Sequence, residues 1–494
     1  MPQRKSADKN FAIFLWVFIA LNVVFAYYQL TFFWGNHDWD WVKGTTQVLR
    51  LDTGLFEGRY AKFILNIALF GGQILPLLNT LAAFALLAIG QVLLVNYWQI
   101  KHPLARILVA LLPAVAPYVL GWLYFPINIL GNFAAVPLVA GGLILAEKGG
   151  IKPKIAAVLC FLTALGVYPS VMEMMLVCWC ARQILVPSAH IKQCAPSAIS
   201  IISALLAFKL TLYILDKAGI LYMGHYNMQT ATMGEMLDRV PQTLLLILSQ
   251  MATTLPFFPL SLKSIGMVLI ITAFAISARR PVNIILWGAM LVATVLSTFL
   301  TAVPAETAYM PRVNFYGLNY LYAASAALIL QQKKTLCRNL GLALSFLYIS
   351  TSVNQDIEAQ KVWHLGKTAE EKLVGRVISR IEENNSVLPL IPVIAGELPL
   401  RPRYYAAPYT KPSLYILNAP LMVRHIPSGM FNFYAPIPLF KGNSQISTPT
   451  PELYEYLKTA SRPWPSPAGL YIDENYAILL LTTDGIKAIQ AQLP

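Results

Sequence analysis

Long apolar blocks alternate with short basic ones along most of this chain, and then the alternation stops. Eleven apolar stretches are long enough to predict membrane-spanning helices, each approaching the roughly 20 residues that a bilayer core requires: 11–33, 79–98, 104–125, 127–146, 154–168, 170–186, 195–215, 260–278, 282–302, 315–331 and 338–353. Every second connection carries cations. These are Arg4, Lys5 and Lys9; Lys101 and Arg106; Lys148, Lys152 and Lys154; Arg182 and Lys192; Arg279 and Arg280; and Lys333, Lys334 and Arg338. By the positive-inside bias those connections, and the N-terminus, are expected in the cytoplasm. Two further apolar stretches, 63–78 and 241–258, would break that parity if they crossed, and both are interrupted by Gly or Pro. They are expected to be re-entrant or interfacial helices on the opposite, periplasmic side. The first stretch follows a basic N-terminus but lacks an A-x-A site, so an uncleaved signal anchor is expected.

After Ser352 the character changes to charged, Pro-rich and Tyr-rich sequence. The expected organisation is a transmembrane domain over 1–353 and a periplasmic domain over 354–494, since an odd number of crossings from a cytoplasmic start ends outside. In "TAEEKLVGRVISRIEEN", Leu373, Val374, Val377, Ile378 and Ile381 recur at helical spacing, predicting an amphipathic helix. "AGLYIDENYAILLLTT" predicts two strands joined by a polar turn. A small α/β fold is therefore expected for the tail, beside a mainly α, polytopic helical bundle.

Composition agrees with the pattern. Of 494 residues, 57% are hydrophobic and 12% charged, and the mean hydropathy is +0.57, far above that of a soluble domain. The net charge of +14 is dispersed over the short loops instead of gathered on one face, which points to topology and away from nucleic acid. The five cysteines fall in or beside apolar stretches without a CxxC pair, so neither a disulfide framework nor a zinc cluster is expected.

Chemistry concentrates in the first external loop, 34–62. "TFFWGNHDWDWVKG" brings together His37, Asp38, Trp39, Asp40 and Lys43, and "LRLDTGLFEGRYAKFIL" adds Asp52, Glu57 and Arg59. Helix capping by Asp and an aromatic belt of Trp34, Trp39 and Trp41 is one account. A second is catalytic: a carboxylate at the interface can take a proton from a hydroxyl, while Arg and Lys stabilise a departing phosphate.

The pattern "GNHDWDWVKG...LDTGLFEGRY" after an N-terminal membrane helix resembles the bacterial O-antigen glucosyltransferases of the serotype-converting type, within the GT-C superfamily. That resemblance implies a polyprenyl-phosphate sugar donor, a surface glycan acceptor, no nucleotide, and a catalytic Asp in the first external loop. It implies Asp38 as the base with Asp40 supporting it; Trp39 stands between them where the family often has adjacent carboxylates, which leaves the two roles exchangeable. "GRY" over Gly58, Arg59 and Tyr60 matches the family's Gly-Arg-aromatic motif, implying that Arg59 holds the donor phosphate, as a planar fork suits. The alternative for Arg59 is a snorkelling headgroup anchor.

Other external groups are Asp216, Lys217, His225, Glu306 and Arg312. Lys43, Lys217 and Arg312 are candidate phosphate ligands beside Arg59, and His37, Trp39, Glu57, Glu173 and Glu306 are candidate substrate ligands, whereas His225 reads as a surface residue. Glu173 and Lys209 lie inside apolar stretches, where a charge costs roughly 2.5–3.5 kcal/mol on insertion scales. A role in the site and, for Lys209, snorkelling are the two readings. No cofactor is fixed by the sequence, though the carboxylates with His37 could host a divalent cation.

The expected function is an inverting glycosyltransferase, moving a sugar (glucose by the resemblance) from a polyprenyl phosphate to a glycan at the outer face of the bacterial inner membrane. Its partners are the lipid-linked donor, the polysaccharide acceptor and the bilayer. An O-antigen polymerase or ligase, and a transporter or flippase of lipid-linked glycans, are the alternatives. The acidic first loop argues against the former, and the lack of internal symmetry against the latter.

Overall fold

The computed structural model describes residues 2–30, 55, 58–123, 125–186, 191–221, 262–294, 315–383, 390–395 and 450–491, with isolated positions at 234, 235, 237, 238, 241 and 296. The chain divides into two compact units, Met1–Gln29 with Leu49–Glu358, and Leu30–Val48 with Ala359–Pro494.

The first unit is a helical bundle. Its described helices are α1 Pro2–Val24, α2 Ala26–Leu30 (which ends at the unit's edge), α3 Ile64–Phe70, α4 Pro76–Tyr97, α5 Pro103–Ala114, α6 Tyr118–Leu123, α7 Ile129–Ala146, α8 Ile151–Val167, α9 Val171–Leu185, α10 Ile191–Lys217, α11 Leu262–Ser277, α12 Pro281–Ala293, α13 Leu318–Leu330 and the start of α14 Thr335–Glu383. Each of the eleven predicted stretches holds helix. Four helical segments are long and apolar enough to cross a membrane by length and composition: Pro76–Tyr97, Pro126–Ala146, Ala195–Lys217 and Thr335–Lys361. The bundle is thus compatible with a bilayer. The apolar stretch 63–78 is a short helix, α3, closed by Gly71 in the left-handed conformation (φ 60°), a geometry glycine adopts at little cost. Its counterpart 241–258 lies outside the described residues except for Pro241.

At the centre stand α7 and α13. Packing joins α7 to α4 and α8, and joins α13 to α5, α9 and α11. All thirteen residues of α13 are buried, and its Ala323, Ala324, Ala326 and Ala327 let neighbouring backbones approach. The predicted helix over 104–125 is broken into α5 and α6, and proline is the reason. In a continuous helix the Pro113 carbonyl would accept from residue 117, but Pro117 has no N–H. Instead Asn319 of α13 donates from Nδ2 to the Pro113 carbonyl at 2.9 Å. Gln91 of α4 donates to the Tyr320 hydroxyl at 2.9 Å, and Trp98 Nε1 to the Cys178 carbonyl at 3.1 Å, so buried polar groups cross-link the centre. At another set of helix ends Arg182 pairs with Glu147 at 3.1 Å and lies over the Tyr97 ring.

The second unit holds the end of α14, β1 Ile391–Ala395, α15 Pro451–Thr459, β2 Leu470–Ile472, β3 Tyr476–Leu480 and α16 Thr483–Gln490. The predicted amphipathic face is realised: Leu373, Val374, Val377, Ile378 and Ile381 are all buried. So is the predicted hairpin, with β2 antiparallel to β3 across a turn in which Asp473 Oδ1 accepts from the Asn475 and Tyr476 amides. Sheet order is β1-β3-β2, with β1 parallel to β3. Pro392, lacking a donor, fits because β1 is an edge strand. Val393, Leu453, Leu457, Ile478, Leu480 and Ile486 form the core of this small α/β unit.

Candidate functional site

The segment Gly58–Phe63 is fixed by its backbone before any side chain is considered. Gly58 takes φ 66°, the left-handed region that favours glycine, and its amide donates to the Leu55 carbonyl at 2.9 Å. From there the chain is wedged between α7 and α8. The Ala61 amide caps the end of α8 by donating to the Gly166 carbonyl at 2.9 Å, and the Tyr60 hydroxyl donates to the Leu162 carbonyl, also at 2.9 Å. Both glycines facing the wedge are sterically required. A Cβ at Gly166 would strike the Tyr60 ring, and one at Gly131 would strike the Lys62 carbonyl oxygen. Burial pushes the Tyr60 hydroxyl up to about 12, so it remains a donor at any working pH.

This anchoring holds Arg59 over the Tyr168 ring, 4.9 Å from guanidinium carbon to ring centroid, a cation–π arrangement. Tyr168 meets Trp122 edge-on at 4.9 Å and stacks with Tyr316 at 6.2 Å. The Tyr316 hydroxyl donates to the Asn132 carbonyl at 2.8 Å. Nearby, a Cβ on Gly317 would sit 2.5 Å from Glu173 Oε2 and 3.0 Å from the Thr294 Cα. Glu173 is wholly buried in the first turn of α9, where a carboxylate suits the helix dipole. The end of α8, the starts of α7, α9 and α13, the turn after α12 and the 58–63 wedge therefore meet in one place. These are the ends that the alternating sequence pattern assigned to a single side. Trp122 Nε1 and both ends of the Asn132 amide are buried there with no hydrogen-bond partner among the described residues.

Of the sequence-predicted site residues, the structure brings Arg59 and Glu173 to this cluster. Lys217 ends α10, exposed, with its ammonium over the Tyr213 ring of its own helix. Lys209 is exposed along α10, which favours a snorkelling role. His37, Asp38, Trp39, Asp40, Lys43, Glu57, Glu306 and Arg312 lie outside the described residues, as does His225. Sequence reasoning missed Trp122, Asn132, Tyr168 and Tyr316. The available signal was an aromatic residue at the same end of several apolar stretches. Among the described residues no three His, Cys, Asp or Glu side chains gather as a metal site would require.

An arginine anchored on an aromatic ring and half-buried where several helix ends meet can bind an anionic group. No protein-family model matches this sequence, and a search of curated proteins finds no match.

Proposed function

We propose that the protein is an inverting glycosyltransferase, using a polyprenyl-phosphate-linked sugar, glucose in the first instance, and a surface glycan such as O-antigen as acceptor, at the periplasmic face of the inner membrane. The observation that carries this reading is Arg59 held at 4.9 Å over Tyr168, where several helix ends of an apolar bundle meet. A lipid phosphate reaches such a point with its chain in the bilayer and its sugar among polar groups. The acceptor oxygen attacks the anomeric carbon from the face opposite the phosphate, the carbon–oxygen bond to phosphate breaks, and the hydroxyl proton passes to Asp38. The lipid phosphate departs with the electron pair, its gained charge met by Arg59. Phosphate is a good leaving group, so no general acid is needed.

The test is transfer from purified polyprenyl-phosphate glucose by the full-length protein and by Asp38→Asn and Asp40→Asn. Asp38→Asn is expected to express and insert normally and to lose transfer, with Asp40→Asn less impaired. The reverse order exchanges the two roles, and full activity in both removes the first-loop mechanism.

A further inference from the structure

At the end of the bundle opposite the Arg59 cluster, α4 stops at Tyr97 and α5 starts at Pro103, while α13 stops at Leu330 and α14 starts at Thr335. These two turns are distant in sequence and joined in space. Helix α13 packs against α5, and Gln331 Nε2 donates to the Trp98 carbonyl at 3.5 Å. The first turn contributes Lys101 and the second Lys333 and Lys334, all exposed, with Arg338 in the first turn of α14. Gln99 takes φ 54°, a left-handed conformation that usually falls to glycine after a helix. Ile100 is buried behind it, which pins the turn and leaves the flanking Gln99 and Lys101 exposed.

No carboxylate in either turn balances these charges, since residues 98–106 and 331–340 contain neither Asp nor Glu. Glu147 at the same end is held by Arg182 at 3.1 Å, and Asp8 of α1 is followed by Lys9. The positive-inside bias asks for cations in each loop, but it does not ask that two loops be brought together. Gathering like charges is unfavourable until an anion joins them. Beside the cations the chain exposes leucine: Leu336 is 82% exposed, and Leu340, one turn further along α14, and Leu104 in the first turn of α5 are exposed too. Pro76–Tyr97 and Thr335–Lys361 are each long and apolar enough to cross a membrane, so the two turns lie where crossings begin, at headgroup depth.

We infer that these two turns bind an anionic phospholipid, with its phosphate between Lys101 and the Lys333–Lys334 pair and its acyl chains along the leucines. Charge complementarity sets the sign of the headgroup. The leucines select a lipid over free phosphate, which would leave them uncovered, and on a helix of membrane-spanning length their natural neighbour is an acyl chain. This site needs nothing from the transferase reading.

The experiment adds dioctanoyl phosphatidylglycerol, dioctanoyl phosphatidylcholine or inorganic phosphate to full-length protein in neutral detergent, counting bound lipid by native mass spectrometry and following the melting temperature. We expect phosphatidylglycerol to be retained and to raise the melting temperature, phosphatidylcholine to be retained far less, and inorganic phosphate to give no rise. Lys101→Gln should weaken phosphatidylglycerol binding about fivefold, and Lys333→Gln combined with Lys334→Gln roughly 25-fold, at the strength typical of a cation near a lipid surface. Without lipid these variants should melt with the parent, because the replaced side chains are exposed. Lys148→Gln combined with Lys152→Gln, an exposed pair in another turn at the same end, should bind like the parent. Equal retention of the two lipids, equal stabilisation by inorganic phosphate, or parent-like binding by Lys101→Gln overturns the site. So does an equal loss in the Lys148 and Lys152 variant, because general surface charge would then suffice.

Discussion

Two helical segments of this bundle, Pro126–Ala146 and Ala195–Lys217, are nearly identical in hydropathy, at 2.0 and 2.1, yet 72% of the first apolar window is buried inside the protein and only 22% of the second. Apolarity fixes that a segment avoids water. It does not say whether protein or lipid replaces the water, because lipid tails are as apolar as leucine. What separates the two is glycine: Gly131, Gly141 and Gly142 lie in the first, and the second has none. The first, containing α7, has Gly131 against the Lys62 carbonyl, Gly142 against the Phe161 ring, and Asn132 at the aromatic cluster. The second, α10, spreads Ile199, Ile202, Leu206, Leu210 and Ile214 outward, each more than half exposed, as a lipid-facing surface would. Of the described residues at the candidate site, Asn132 comes from the first segment and none from the second.

The comparison breaks most visibly at Gly131. Gly131→Val places side-chain atoms where the Lys62 backbone stands, and backbone cannot step aside, so a loss of about 3 kcal/mol or more is expected; detergent-solubilised protein should melt far lower or elute as aggregate. A parent-like melting curve would mean that the 58–63 wedge is not seated on α7. A smaller effect is expected from Tyr60→Phe, which loses one hydrogen bond to the Leu162 carbonyl and costs about 1 kcal/mol, while loosening the anchor of Arg59. Transfer activity should fall by more than stability does; equal falls would make Tyr60 structural only. Smallest is Leu206→Ala on α10. With Leu206 66% exposed, the change should stay within about 0.5 kcal/mol, and a drop of about 2 kcal/mol or more, as for a core leucine, would show that this outward face of α10 packs against protein.

Local patterns in the sequence announced the helices, the amphipathic face from Leu373 to Ile381 and the β2–β3 hairpin, because periodicity and turn chemistry are carried by neighbouring residues. Long-range pairings were not legible in the same way. The parallel union of β1 with β3 joins segments about eighty residues apart, and nothing local specifies it. The break between α5 and α6 was readable in principle from Pro113 and Pro117, but its repair by Asn319 comes from more than two hundred residues away. At the candidate site, Gly58-Arg59-Tyr60 was visible as a motif and Glu173 as a charge in an apolar run. Tyr168, Trp122 and Tyr316 carry no local mark of a shared site, and only the fold gathers them, with Arg59 over the Tyr168 ring.

The account stands on Arg59 as the partner of a lipid phosphate, and single-turnover transfer from polyprenyl-phosphate glucose, at limiting and saturating donor, tests it most directly. Arg59→Ala should be slowed on the order of 10² to 10³ at both donor levels, as loss of a charge that tightens in the transition state implies, with Arg59→Lys impaired in between because it keeps the charge and loses the fork. Arg59→Ala turning over like the parent at both levels would contradict the account and leave Arg59 an anchor at the membrane surface.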